Sequence, residues 1–278
     1  MTRHLKKTLA AIVGGATLLT LASIKPVDAI SVGSPETQGK GKISVSSDNS
    51  FIFDRKFKFK GAENIDPKPL EDVFGADIES GYQVMLKTSY GVLDNLDVYA
   101  KLGWADYKID SIFQGTRPTG TYSFPFIMNT DSNLAWGLGM KGKHELGNDW
   151  LLGCDLQYMR SKHDVKLTKK RTTEATGEFK SSVMQDWHAA FSLGKRIKNF
   201  LPYFGVRYSD ARFETKGIED QLVWGPGMDW IYNIKYKAKN NVGLFAGTDY
   251  KLGKNLSMNL EGRFIDETAL TAGLTWKF

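Results

Sequence analysis

From residue 42 to the last residue, apolar and polar positions alternate along the chain in segments of about nine to fifteen residues. In the last segment Leu270, Ala272, Leu274, Trp276 and Phe278 share one parity, and Thr271, Gly273, Thr275 and Lys277 the other. A period of two is that of a strand with one greasy face and one wet face. The same pattern sets Ile78, Tyr82, Val84, Leu86 and Tyr90 against Gly81, Gln83, Lys87 and Ser89. It recurs with Leu96 to Trp104, Leu134 to Met140, Trp150 to Tyr158, Val183 to Leu193, Phe200 to Tyr208, Val242 to Leu252 and Leu256 to Phe264. Lys42 to Phe59 is less regular, with Ile43, Val45, Phe51 and Phe53 on one parity.

The connections sort by length. Short turns are expected at 91–95, 146–149, 195–199 and 252–255, and long loops at 60–76, 111–131, 162–180 and 215–236, the last of which also reads as an extended hairpin standing above the barrel. A tilted strand crosses a bilayer in about 9–11 residues, and short turns on one side with long loops on the other are the outer-membrane arrangement. The pairs Tyr82/Tyr90, Trp150/Tyr158 and Phe200/Tyr208 each bracket an apolar face eight residues long. At about 3.3 Å per residue and a steep tilt that is roughly 20 Å of height, close to the apolar band between aromatic girdles. The expected fold is therefore all-β: a transmembrane antiparallel up-and-down β-barrel over residues 42–278, of about ten strands, with eight or twelve as alternatives.

The start of the chain gives the barrel a route. Residues 2–7 are basic, Thr8 to Ile24 is an uncharged run of 17, and small residues precede a cut after Ala29. Residues 1–29 read as a secretory signal peptide, since the run is short for a spanning helix. Residues 30–41 are polar and Gly-rich and read as a flexible lead-in. Half of the formal net charge of +6 belongs to the leader, through Arg3, Lys6, Lys7 and Lys25 less Asp28. The remainder is too small to argue for nucleic acid. The one cysteine, Cys154, excludes an intrachain disulfide.

The closing strand, with an aromatic last residue and Trp276 two positions before it, resembles the C-terminal signal strand of bacterial outer-membrane β-barrels. Leu93 to Trp104 (Leu-Asp-Asn-Leu-Asp-Val-Tyr-Ala-Lys-Leu-Gly-Trp) resembles a turn-and-strand unit of the small OmpA-type and opacity-type porin-like barrels. The resemblance implies the cell outer membrane, contact with its lipid and lipopolysaccharide, insertion by the barrel-assembly machinery through Leu270, Ala272, Leu274, Trp276 and Phe278, and a monomer.

The inward parity carries both signs of charge: Lys87, Asp97, Lys101, Lys141, Asp155, Asp186, His188, Arg207, Asp249, Lys251, Glu261 and Arg263. Buried charges must pair or stay hydrated, and a ring of one sign, the mark of ion selectivity, is missing. A ten-stranded interior is expected to be mostly filled. Asp186 and His188 share a strand face, and an Asp-oriented His is a general base. Omptin proteases are ten-stranded barrels with such a pair, but the match in position fails and no second Asp pair accompanies it. The expectation is a lumenal His bonded to its neighbour Asp, and no catalytic residue. His144, His163 and His188 lack metal-site spacing, so no metal or cofactor is expected. Cys154 is placed on the lipid face, and the glycines of Gly137 to Gly142 are expected to relieve crowding in the lumen. Lysines 166, 169, 170 and 180 with Arg171 form a basic stretch open to lipopolysaccharide or a host surface. The function expected is a non-enzymatic porin-like channel or structural surface protein. A loop-mediated adhesin is the alternative, and an omptin-like protease a more distant one.

Overall fold

The computed structural model describes residues 31–63, 75–117, 120–170, 177–219 and 230–278. These hold twelve strands: β1 (Ile43–Glu63), β2 (Gly75–Leu93), β3 (Leu96–Arg117), β4 (Gly120–Thr130), β5 (Asn133–Gly147), β6 (Trp150–Lys170), β7 (Gly177–Lys195), β8 (Phe200–Glu219), β9 (Trp230–Ala238), β10 (Val242–Lys251), β11 (Leu256–Phe264) and β12 (Thr268–Lys277). Neighbours pair antiparallel throughout. β4 carries β5 onward along β3, and β9 carries β10 onward along β8, so the ring counts as ten strands. The irregular first strand closes it: β1 pairs with β12 from Ser44↔Lys277 to Asp54↔Thr268. No open edge is left in the membrane, as a spanning sheet requires.

Ten strands do not persist to the outer end. The β11–β12 hairpin turns back at 265–267, and above it β9 pairs directly with β1, from Phe57↔Ala238 to Glu63↔Asn233. The outer ring is thus β1-β2-β3-β4-β6-β7-β8-β9, eight strands around a narrower interior. Three segments expected as loops, 111–131, 162–180 and 215–236, are largely strand within this extension, although residues 118–119, 171–176 and 220–229 lie outside the described residues. The described parts of 215–236 pair as β8 and β9, in line with the extended hairpin that was the other reading there, whereas for 111–131 and 162–180 the loop expectation failed for a physical reason. Above the bilayer the outer face meets water, so the apolar parity that marks a membrane strand is no longer the outward one.

The outer surface shows the change directly. Leu102, Trp104, Leu138, Leu156, Trp187, Phe191, Phe204, Val206 and Tyr208 are exposed and apolar, as lipid contact demands. Past Trp104, Tyr158, Trp187 and Tyr208 the outward positions become Lys108, Arg160, Lys162, Asp210 and Arg212. The interior inverts in step. At membrane height it is polar and charged, whereas above it Ile78, Met85, Tyr107, Ile109, Met128, Met159, Met184, Phe213, Ile234 and Tyr236 form one buried apolar cluster. The spanning part is a membrane barrel, and the outer part is built like a water-soluble one.

One parity assignment needs correction on the same ground. Ile78 was expected on the outward face, but a bulge between Ile78 and Ser80 shifts the strand, and Ile78 is 1% exposed in the core. An extra residue turns every later side chain to the opposite face.

Candidate functional site

In a barrel the candidate site is the lumen, and here the described residues fill it at membrane height and in the lower part of the outer ring. The membrane-level strands aim their polar parity inward, and cross-strand pairing sets these side chains in three levels.

The lowest level holds the chain's own N-terminal segment. The sequence reads residues 30–41 as a flexible lead-in; the structure seats residues 31–38 inside the barrel from its short-turn end, held by named partners. The Val32 and Gly33 amides donate to Glu261 at 3.0 and 2.7 Å. Lys141 Nζ donates to the Val32 and Ser34 carbonyls, both at 2.8 Å, and the Ser34 hydroxyl donates to Asp249. The Gln38 amide donates to Asp97 at 2.9 Å. Glu36 closes the mouth with Arg196 at 3.0 Å and Lys143 at 3.4 Å. Two glycines make room. A Cβ on Gly153 would meet Pro35 at 2.6 Å, and one on Gly194 would meet it at 2.9 Å.

The middle level is a hydrogen-bonded cluster. Tyr99 donates to Asp155 at 2.9 Å, and His188 Nε2 meets the same carboxylate at 2.9 Å. Lys87 Nζ stands 4.2 Å above the Tyr99 ring, and Lys101 pairs with Asp48 at 3.3 Å. Tyr99 lies across Gly139, whose Cβ would sit 2.4 Å from the ring, so that glycine of the Gly137–Gly142 stretch does relieve lumenal crowding. His188 and Asp155 are 3% and 2% exposed. His188 does not bond Asp186 on its own strand, as the sequence suggested. Residues two apart on one strand share a face but diverge, whereas the β6–β7 pairing sets Gln157 opposite His188 and brings Asp155 within reach of the imidazole on the diagonal.

The upper level is a knot of ion pairs. Arg55 reaches Asp186 at 2.8 Å and Glu267 at 3.3 Å. Arg207 binds Asp266 and Glu267, both at 2.6 Å, and Arg263 binds Glu267 at 2.7 Å and Glu261 at 2.8 Å. Three guanidiniums thus converge on Glu267, and their fixed forks suit carboxylates. Sequence reasoning missed three members. Asp266 and Glu267 look like a solvated turn, but that turn folds into the lumen wall. Arg55 is turned inward by the bulge between Ile52 and Asp54.

The charged residues read from the sequence are distributed over these levels. Lys87, Asp97, Lys101, Lys141, Asp155, Asp186, His188, Arg207, Asp249, Glu261 and Arg263 all enter the network, while Lys251 sits exposed at the turn end of β10. The closing-strand residues Leu270, Ala272, Leu274, Trp276 and Phe278 lie on the outer face, with Leu270 and Phe278 the most exposed. Cys154 is exposed on the same face. No group of His, Cys, Asp and Glu able to hold a metal occurs among the described residues. Of the basic stretch, Lys180 is exposed, and Arg171 lies outside the described residues with the leader, 1–29.

A family model for outer membrane beta-barrel porins, MtrB/PioB, matches residues 59–238. The major outer membrane porin of Chlamydia muridarum is 22% identical over 54% of this chain and 52% of its own length, so the chain spans about half of that relative. The outer membrane protease OmpT from Escherichia coli superposes with a TM-score of 0.53 at 12% identity, over 88% of this chain and 100% of that one. OprG from Pseudomonas aeruginosa gives 0.45 at 11% identity, over 87% and 99%. The likeness to OmpT is one of fold.

Proposed function

This chain belongs to the outer membrane beta-barrel porin family MtrB/PioB, and on that premise we propose that it is a non-enzymatic outer-membrane barrel that rests closed. It forms a stable wall and surface structure and does not conduct continuously. The observation that carries this reading is the stacking of two seals along one axis. The N-terminal segment occupies the membrane-level lumen, and the apolar cluster around Met128, Met184 and Phe213 fills the outer ring, with exposures of 0–4%. Removing the first seal leaves the second. A conducting pore needs a continuous wet path, and an apolar constriction excludes water and ions even where a little space remains.

The non-enzymatic part rests on burial. His188 and Asp155 have the pairing of a base and its orienting carboxylate, but they are sealed between the two closures. A substrate has no approach to them, and reach to the reacting proton is the first demand on a general base.

Liposome swelling tests the reading. Barrels reconstituted at high density should leave vesicles as impermeable to small sugars and amino acids as protein-free ones. Swelling that scales with barrel content would sink the closed reading. Incubation with a peptide library, read by mass spectrometry, should yield no cleavage, and cleavage abolished by His188→Ala would restore the protease.

A further inference from the structure

A collar of charge runs around the barrel just above the aromatic girdle. Some of its cations have partners: Lys108 pairs with Glu79, Arg212 with Asp210 at 2.7 Å, and Lys235 with Glu63 at 2.5 Å. Others, Lys56, Lys58, Lys237 and Lys239 on β1 and beside β9, are exposed without an ion pair among the described residues. Arg160 and Lys162 are likewise unpaired among the described residues, and they stand exposed side by side on the outer face of β6. They border a groove of about 240 Å³, which opens where the fourth strand is interrupted between β4 and β5. Leu134 and Trp136 line it from β5, with Trp136 directly across from Arg160. Tyr158, two residues below Arg160 on β6, meets Trp136 edge-on at 5.6 Å between ring centroids and Trp187 in a tilted contact at 4.6 Å.

The position decides what such a site meets. Aromatic girdles lie at the level of the lipid headgroups. With short turns on the inner side, the collar lies on the outer leaflet. Two unpaired cations over an apolar, aromatic ledge fit an amphiphile whose anionic head sits above its acyl chains. The two side chains are about 7 Å apart along the strand, at two residues of rise. The Arg160 fork binds a phosphate through two parallel hydrogen bonds, and Lys162 adds a point charge. Asp164, two residues farther up the same face, also lines the groove, so an anion is seated below it, at Arg160 and Lys162.

We infer that Arg160 and Lys162 form a binding site for the phosphate of an outer-leaflet glycolipid, with its acyl chains running down over Trp136. The inference rests on the orientation of the barrel in the outer membrane and not on whether its lumen conducts. Native mass spectrometry of the purified full-length mature barrel tests it, with lipid A, phosphatidylethanolamine and inorganic phosphate offered in turn. The wild type should retain lipid A over phosphatidylethanolamine by roughly tenfold, and inorganic phosphate should neither bind detectably nor displace the lipid. The doubly substituted R160Q/K162Q should lose that preference, R160K/K162R should keep most of it, and R212Q, whose cation is already paired, should match the wild type. If the double variant folds poorly, K162Q alone should show a partial loss. A wild type without preference, or an R160Q/K162Q variant that retains lipid A fully, would overturn the proposal. Displacement by inorganic phosphate would show a free-phosphate site instead and also overturn it.

Discussion

At the scale of single residues, the ion-pair knot makes the sharpest demands. Glu267 is shared by Arg55, Arg207 and Arg263 in a fully buried setting. Removing one member of such a pair leaves the others as uncompensated buried charge, at a cost of about 3–5 kcal/mol. Glu267→Gln is therefore expected to lower the unfolding midpoint in detergent strongly. Glu79→Gln at the exposed collar pair should change stability by less than about 1 kcal/mol. The turn that supplies Glu267 is itself strained: Ile265 takes a φ of +83°, disfavoured for a β-branched residue and sustained only because its surroundings fix it. His163 gives a pH signature. It lies in the outer extension, is 0% exposed, and meets the Tyr107 ring in a T-shaped contact at 4.5 Å between centroids. Burial holds its pKa down at about 4, against the opposing pull of the Asp164 charge. The unfolded chain takes up this proton at about 6.5, so stability is full above that pH and falls progressively toward 4. Urea titrations across this window should show a steeper acid loss for the wild type than for His163→Phe. Equal slopes would remove His163 from the account.

Among the elements, the N-terminal segment and the outer extension carry the argument, and they differ in how visible they were. Alternation and turn spacing made the ten membrane strands readable, together with their pairing order and the closure of β1 on β12. A membrane strand displays its environment in every second residue. The outer halves of β3, β6 and β8 follow the same geometry with the polarity exchanged, so alternation alone read them as loops. Residues 31–38 were harder still. Their contacts are made through backbone amides and carbonyls, which every sequence possesses, and the complementary signal lies far away in Gly153, Gly194, Lys141 and Glu261. Gly153→Val tests the seating, because its side chain would occupy the place of Pro35. Amide hydrogen exchange should then rise at Val32, Gly33 and Gln38, while β6 and β7 remain protected. Unchanged protection there would mean that the segment does not depend on this cleft. Phe213→Ala in the outer core should cost about 3–5 kcal/mol, as for a buried aromatic in a water-soluble domain. A much smaller cost would contradict the reading of that extension as a packed core.

For the whole molecule, the picture is a membrane barrel of ten strands that narrows into an eight-stranded outer barrel with a dry interior, as befits an outer-membrane protein of the porin family. The charged lumen was expected from the sequence to be mostly filled. The location of the filling was hidden, because it depends on the short β11–β12 hairpin and on a segment threaded back through the ring. The two closures act in series, so the account stands or falls on their combined effect on ion flow. Planar-bilayer recording of a barrel comprising residues 30–278, alongside one also lacking residues 31–38, measures this directly. Both should insert without steady conductance, the truncated form showing at most brief flickers, because the apolar cluster around Met128 and Phe213 still blocks the path. A steady open level in the wild type would contradict the account. A steady level in the truncated form alone would show that the N-terminal segment is the sole seal and that the outer core is open to water.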